Sequence, residues 1–579
     1  MTDSHVAAGI ERGLPPVERV REAYRRIAAA DRPEVWITLR PERDVLADAA
    51  AVQRRLAAGE QLPLAGLLTA VKDNIDVAGV RTTAACPEYA YLPHTDATAV
   101  ARLRAAGAVI VGKTNLDQFA TGLVGTRSPY GAVRCSWDPD RISGGSSSGS
   151  AVAVGLGLAD LALGTDTAGS GRVPAAFQGI VGVKATPGVV PSTGVVPACA
   201  DYDCVSVLAA DLRTARRAMA VLSGFDPADP RSRVWPADLP LAAPDRPRVV
   251  VPRAADLAAL TAGYRRAFAR AVAGLRARGA DTVEADVSVL LDAATLLYDG
   301  ALVAERYTAV GGFLDGRPAG ADPVVAGIVR AAAEPRAHDF AADLDRVARA
   351  RRYARHLLDG SAALLLPTTT EHPTLAEVGA DPVGVNRRLG TYTNFANLLD
   401  MPAVAVPAGC ADGGPFGVTV LSQSMHDHVA LDVAALITGG APGPLLTADV
   451  CTVLVVGAHL RGEPLNPQLR VLGARFRGEV TTSDAYRLVA LASVPAKPGL
   501  VRCGPGRGAP IAGELWDLPA AGLGRFLAGL PSPMSLGKVE LSDGRWVVGF
   551  GCAADAGADG ADITEHGGWR RYLLASAGS

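Results

Sequence analysis

The stretch ISGGSSSGSAVAVGLGLADLALGTDTAGSGRVPAAFQGIVGVKATPG, residues 142–188, decides how this chain is read. After Ile142 it runs through eight consecutive glycines and serines, residue types that let backbone approach backbone or a ligand closely. A flexible linker has the same composition, but a linker does not continue into AVAVGLGLADLALG, an apolar helix-to-strand pattern. Upstream, LAGLLTAVKDNI (64–75) reads as a buried strand entering a loop, and AVARLRAAGAVIVGKTN (99–115) as a helix, a glycine stop and a short strand. Strands alternating with helices predict an α/β unit built on a mixed or mainly parallel sheet covered by helices.

Outward from this core, Val17, Val20, Ala23 and Ile27 recur at helical spacing and predict surface helices between about Pro15 and Ala58. A Pro-rich polar stretch lies between Asp226 and Pro247, and helical patterns then run through Leu357, predicting a helical cap before the strand-like LLLPTTT (364–370). Gly and Pro in TGGAPGPLLTADV (438–450) break a helix ending near Ile437. The expected domains are therefore 1–440, a linker 441–450, and a small α+β domain 451–579 of short β-rich runs such as VCTVLVVGAHL, YRLVALASV and GRWVVGFGC. A length of 579 residues exceeds what one hydrophobic core organises.

With 49% hydrophobic and 20% charged residues, the composition is that of a globular enzyme. Lys plus Arg (57) nearly balances Asp plus Glu (59), which argues against nucleic acid and against anionic membrane surfaces as partners. The N-terminal MTDSHVAAGIERG lacks the order of a secretory signal, and no run of 18 or more apolar residues is free of Gly, Pro or charge, so a cytoplasmic protein without a membrane span is expected. Eight cysteines without a C-x-x-C pair read as reduced thiols and not as a zinc site.

The 142–188 run has the form of the amidase signature, and VKDNIDVAG (71–79) resembles that family's lysine segment. The two serines that match the family pattern are separated by 170 − 146 = 24 residues. The resemblance implies a Ser-cisSer-Lys triad of Ser170 as nucleophile, Ser146 as relay after a cis Gly145–Ser146 peptide, and Lys72 as base. It also implies an oxyanion hole from the backbone N–H groups of Thr167, Ala168, Gly169 and Ser170. The residue types suit the chemistry independently. A serine hydroxyl needs a base, residues 142–188 contain no His, and a lysine serves only when neutral. Bringing a lysine pKa from about 10.4 to 7 or 8 takes about 4 kcal/mol of environmental work, which burial under a Gly/Ser wall can supply. Without that context Lys72 would read as a solvated surface charge. Asp166 and Arg172 are expected to hold the loop and not to do chemistry.

The segment LLYDGALVAERYTAV (296–310) resembles the allophanate hydrolase branch of that family, in which a Tyr and an Arg eight positions apart bind the substrate carboxylate; Tyr298 and Arg306 match them. On one helix eight residues rise about 12 Å, slightly over two turns, so two long side chains can converge on a small anion. The plain alternative is a core tyrosine and a surface arginine. Gly122 in GLVGT and Asn394 in TYTNFANLLDMPAV are candidates to line the same pocket, with His372 of PTTTEHP in a structural role. Downstream, GAHLRGEPLNPQLRVLGARF (457–476), GELWDLP and ITEHGGWRRYL resemble the C-terminal domain of allophanate hydrolases, a fold similar to gamma-glutamyl cyclotransferases. His459 matches its catalytic histidine; a turn histidine bonded to backbone is the alternative, His566 competes for the role, and the domain can instead serve subunit contact. The resemblance implies deamination of allophanate to N-carboxycarbamate, no metal or organic cofactor, and a homodimer. Two alternatives stay open: another small amide such as malonamate or biuret, or an amidotransferase component that needs partners.

Overall fold

Leu68–Lys72 is apolar but for Thr69 and its last residue, and buried throughout, as a strand covered on both faces must be. In the computed structural model of the chain, which describes residues 13–440, 443–447 and 449–577, it is the third strand of an eleven-stranded sheet. In chain order the strands are β1 (Trp36–Leu39), β2 (Leu68–Lys72), β3 (Val109–Thr114), β4 (Leu161–Asp166), β5 (Val181–Lys184), β6 (Cys204–Ala209), β7 (Arg248–Pro252), β8 (Asp281–Ala285), β9 (Ala363–Pro367), β10 (Ala403–Ala411) and β11 (Gly414–Leu421). Their order in the sheet is β1-β3-β2-β4-β6-β5-β10-β11-β9-β7-β8. The sheet is mixed: β2 runs parallel to β3 and β4, whereas β4 is antiparallel to β6.

The expected N-terminal helices form as Pro16–Ala30 and Glu42–Ala57, whose Val20, Ala23, Val45 and Ala49 pack on Leu68, Val109 and Val111. The helix Ser148–Gly155 is buried along its whole length and lies over β2 and β4, with Ala151–Val154 packed against Ala70 and Ala162. Only small residues fit there. A Cβ on Gly149 would meet the carbonyl oxygen of Val35 and the amide of Asn115.

The middle of the chain departs from the expected helical cap. Although residues 288–357 are largely helical, β7 and β8 from this region pair alongside the strand-like segment β9 and extend the main sheet. RVVVP and DTVEA are five residues each, too short to show a period of two between long amphipathic helices.

The chain separates into two compact units. The first runs to Val234 and resumes from Asp245 to Leu446; the second joins Trp235–Pro244 to Thr447–Ser579. Part of the Pro-rich stretch thus belongs with the C-terminal residues: the Leu241 N–H donates to the Gly473 carbonyl (2.8 Å) and the Ala521 N–H to the Ala237 carbonyl (2.9 Å). The second unit holds a five-stranded sheet in the order Arg475–Thr481, Ala512–Pro519, Val450–Val455, Trp546–Cys552, Met534–Glu540, around a core that includes Leu454, Trp516 and Phe550. Among the described residues no helix is long and apolar enough to cross a membrane.

The fit at Gly149 is testable. Gly149→Ala drives a Cβ into the backbone of Val35 and Asn115 and is expected to cost about 1–3 kcal/mol, read as a lower thermal midpoint; an unchanged midpoint would show that this contact relaxes freely.

Candidate active site

The parallel register of β2 on β4 pairs Val71 with Leu163, which leaves Lys72 at the strand end beside Thr165. The Lys72 Nζ donates to Thr165 Oγ1 and to Ser146 Oγ, both at 2.7 Å, and the side chain is 0% exposed. Burial pushes the amine down to about 7, against the opposing pull of Asp117, Asp203 and Asp166. Ser146 sits on the turn that precedes the buried helix, after a cis Gly145–Ser146 peptide. Its neighbour Ser147 staples that turn to β4: Ser147 Oγ donates to the Thr165 carbonyl (3.1 Å) and accepts from the Thr165 N–H (3.3 Å). Thr165 is a site residue that the sequence reading did not single out. It becomes visible only when β4 is laid beside β2.

Ser170 lies on the turn between β4 and the helix Arg172–Gln178 and is 1% exposed. Its hydroxyl donates to the Gly122 carbonyl at 3.4 Å, and its own carbonyl accepts the Ser147 N–H at 3.2 Å. A proton relay through Ser146 therefore requires the Ser170 hydroxyl to swing from Gly122 toward Ser146, a rotation of one side-chain torsion between staggered wells.

The turn itself hangs on Asp166. Its carboxylate takes both Nε and Nη2 of Arg172 at 2.9 Å and accepts the amides of Gly169 (2.9 Å) and Gly171 (3.1 Å). Burial alone would raise this acid, but the Arg172 guanidinium outweighs it and holds the pKa below the ordinary carboxylate value. The structural roles expected of Asp166 and Arg172 match this geometry. Gly169 departs from expectation: its N–H is committed to Asp166, so the candidate oxyanion donors reduce to the amides of Thr167, Ala168 and Ser170.

Arg306 is 1% exposed; its Nη1 donates to Thr121 Oγ1 (2.9 Å) and its Nη2 to the Tyr298 hydroxyl (3.1 Å), with Cζ 4.8 Å from the tyrosine ring centre. The pair meets, but not along one helix. Tyr298 ends the 3-10 turn Thr295–Leu297, Gly300 is extended, and Arg306 belongs to the helix Ala304–Asp315. What folds the chain back is Asp343, which accepts the Ala301 N–H at 2.6 Å. Tyr298 and Asn394 line a cavity of about 810 Å³ together with Arg127 and Asn386. Asn386 accepts the Leu123 N–H (2.7 Å) and so supports the Gly122 segment. His372 is structural: it stacks on Phe177 at 3.8 Å, bonds the Ile142 carbonyl through Nε2 (2.8 Å), and burial drives its pKa down to about 3.

In the second unit His459 lines a separate cavity of about 600 Å³ with Gln468, Lys497, Arg525 and Phe550. Its Nε2 lies 3.0 Å from Gln468 Oε1, its ring stacks on Phe550 at 5.0 Å, and burial lowers its pKa. His566 is not among the residues lining that cavity. Among the described residues no group of three or more His, Cys, Asp or Glu is arranged to hold a metal ion.

Residues 18–431 match the family profile Amidase, and residues 451–574 match Allophanate hydrolase C-terminal domain. The allophanate hydrolase of Kluyveromyces lactis superposes with a TM-score of 0.87 at 38% identity, covering 99% of this chain and 100% of that one. The urea amidolyase of Lachancea kluyveri is 41% identical over 571 residues, covering 93% of this chain and 31% of that protein. The chain thus spans about a third of the length of the urea amidolyases it matches. A glutamyl-tRNA(Gln) amidotransferase component from Symbiobacterium thermophilum is 35% identical, covering 73% of this chain and 92% of that protein.

Lys72 is one of five lysines in the chain. In protein labelled with carbon-13 lysine, one ε-carbon signal is expected to titrate near pH 7 and to vanish in Lys72→Met. All five titrating in the ordinary range near about 10.4 would remove Lys72 as a base.

Proposed function

We propose that this chain, which belongs to the amidase family and to its allophanate hydrolase branch, deaminates allophanate to N-carboxycarbamate and ammonia. The observation that carries the reading is a fully buried lysine hydrogen-bonded to a serine hydroxyl, in the same unit as a buried arginine paired with a tyrosine. The first set is a base and relay, the second a receptor for a carboxylate.

Neutral Lys72 takes a proton through Ser146 as Ser170 Oγ attacks the terminal ureido carbonyl of allophanate. The amides of Thr167, Ala168 and Ser170 stabilise the oxygen that becomes negative, each donor being worth about 3–4 kcal/mol in such sites. Collapse expels ammonia, which takes the proton back through Ser146. The acyl group left on Ser170 is then attacked by water, and N-carboxycarbamate departs. Arg306 and Tyr298 hold the carboxylate, with Gly122 and Asn394 along the wall. No cofactor takes part in this scheme.

The product loses carbon dioxide, and we assign that step to the His459 cavity, on the strength of a buried imidazole, its pKa lowered by burial, that meets Gln468. In this reading residues 1–440 carry the first reaction, 441–450 link, and 451–579 carry the second, within a cytoplasmic homodimer. The amidotransferase reading accounts for the first unit only, because those relatives match about three quarters of the chain.

Purified protein is expected to release ammonia from allophanate without a partner, and Ser170→Ala to abolish it. Lys72→Met should lower kcat by about 100- to 10,000-fold. Because the base works only when neutral, kcat/KM rises with pH through an acid limb near 7. Activity confined to malonamate, biuret or a neutral amide would keep the serine chemistry and change the substrate.

Arg306→Ala separates the clamp from the chemistry: KM for an anionic amide is expected to rise at least about tenfold, while turnover of a neutral amide stays near wild type. Equal losses on both substrates would reject the carboxylate role.

A further inference from the structure

We propose that Thr121 is the positioning residue of the carboxylate clamp, its hydroxyl holding Arg306 so that the Nε–Nη2 edge of the guanidinium faces the substrate carboxylate. This rests on the reading of Arg306 as the carboxylate receptor.

Four of the five N–H bonds of a guanidinium lie in pairs along two of its edges, and a carboxylate is gripped best by one whole edge. In this site Nη1 is engaged by Thr121 Oγ1 at 2.9 Å, and Nη2 spends one hydrogen on Tyr298 at 3.1 Å. Nε is buried and has no hydrogen-bond partner among the described residues. The donor left for a ligand is therefore Nε, on the edge that it shares with Nη2. The threonine hydroxyl is in turn oriented, since its own proton goes to the Phe119 carbonyl at 3.2 Å, which directs its lone pairs to Arg306.

Thr121 is itself immobilised. It is 1% exposed, its N–H donates to the Gln118 carbonyl (3.0 Å), and its carbonyl accepts Arg127 Nη1 (2.9 Å). Phe119 and Ala120 before it adopt left-handed backbone (φ 51° and 52°), which turns the chain into the site. The next residue is Gly122, whose carbonyl receives the Ser170 hydroxyl. Adjacent residues thus touch the arginine and the nucleophile, and one peptide unit sets the spacing between the two ends of the substrate.

Thr121→Val keeps the shape and removes the hydroxyl; Thr121→Ser keeps the hydroxyl. With allophanate and malonamate, the valine variant is expected to raise KM about 10- to 100-fold with little change in kcat, to leave a neutral amide unaffected, and to be rescued by serine. Binding of malonamate to the Ser170→Ala chain, with and without Thr121→Val, reads the same effect without turnover, and thermal midpoints report folding. A valine variant with wild-type KM and malonamate affinity, or with equal losses on anionic and neutral amides, overturns the proposal. So does a serine variant that is folded but not rescued. A wild-type chain that prefers malonamate changes the substrate and leaves Thr121 judged on malonamate. A chain that neither binds nor cleaves carboxylate-bearing amides overturns the substrate reading and this inference together.

Discussion

A lysine amine removed from water loses much of its reason to stay charged, and what touches it then decides its use. Among the described residues Lys72 is bonded to the hydroxyls of Ser146 and Thr165 and to the Thr165 carbonyl, and to no carboxylate. On the adjacent strand Lys113 is as deeply buried but lies 3.0 Å from Asp73, so its proton is shared with an acid. Lys72 has only serine and threonine with which to exchange its proton. The sheet enforces the contrast, because β2 ends where β4 presents Thr165 and the serine turn crosses above it.

The acids that pull against this low pKa are all committed to building the walls. Asp166 takes Arg172 and two amides of the Ser170 turn. Asp203 accepts from Thr167 Oγ1 and from the amides of Ala198 and Cys199. Asp117 accepts the amides of Val124, Gly125 and Arg127, which shapes the segment after Gly122. Burial raises Asp117 and Asp203, whereas Arg172 reverses that tendency for Asp166. Three buried aspartates thus organise three loops around one amine, and none is within the direct contact that would fix the amine's charge. Asn397 closes the same network, donating to the carbonyls of Asp166 (2.7 Å) and Tyr202 (2.9 Å).

Much of this was legible in the sequence, for identifiable reasons. Long apolar runs with glycine stops located β2 and β3, because burial on both faces leaves a clear pattern, and helical spacing of apolar residues located the N-terminal helices. The short strands β7 and β8 were lost among helices, since five residues carry little periodicity. The share of residues 235–244 in the second unit was invisible, because it depends on backbone bonds to residues more than two hundred positions away. At the site, the resemblance to the amidase signature singled out Lys72, Ser146 and Ser170. Thr165 and Thr121 escaped because a lone threonine has no sequence signature; each matters through the strand or turn that aims it. Gly169 was assigned an amide that Asp166 in fact occupies, a competition that only geometry reveals.

The cavity lined by Tyr298 and Asn394, about 810 Å³, far exceeds any small ureido acid, so its shape alone does not select one. Selectivity has to come from a few polar points that are costly to leave unpaired. Three such points are buried without a protein partner among the described residues, Arg306 Nε, Arg127 Nε and Asn394 Oδ1. A buried donor or acceptor that stays unpaired costs about 1–3 kcal/mol, more when charged, so a ligand without a carboxylate enters at a penalty even though it fits. In the proposed reading that penalty acts at the arginine end, while Ser170, Ser146 and Lys72 act on the amide at the other. Division of labour along one short substrate would, in that reading, let a family-wide nucleophile serve an acid amide.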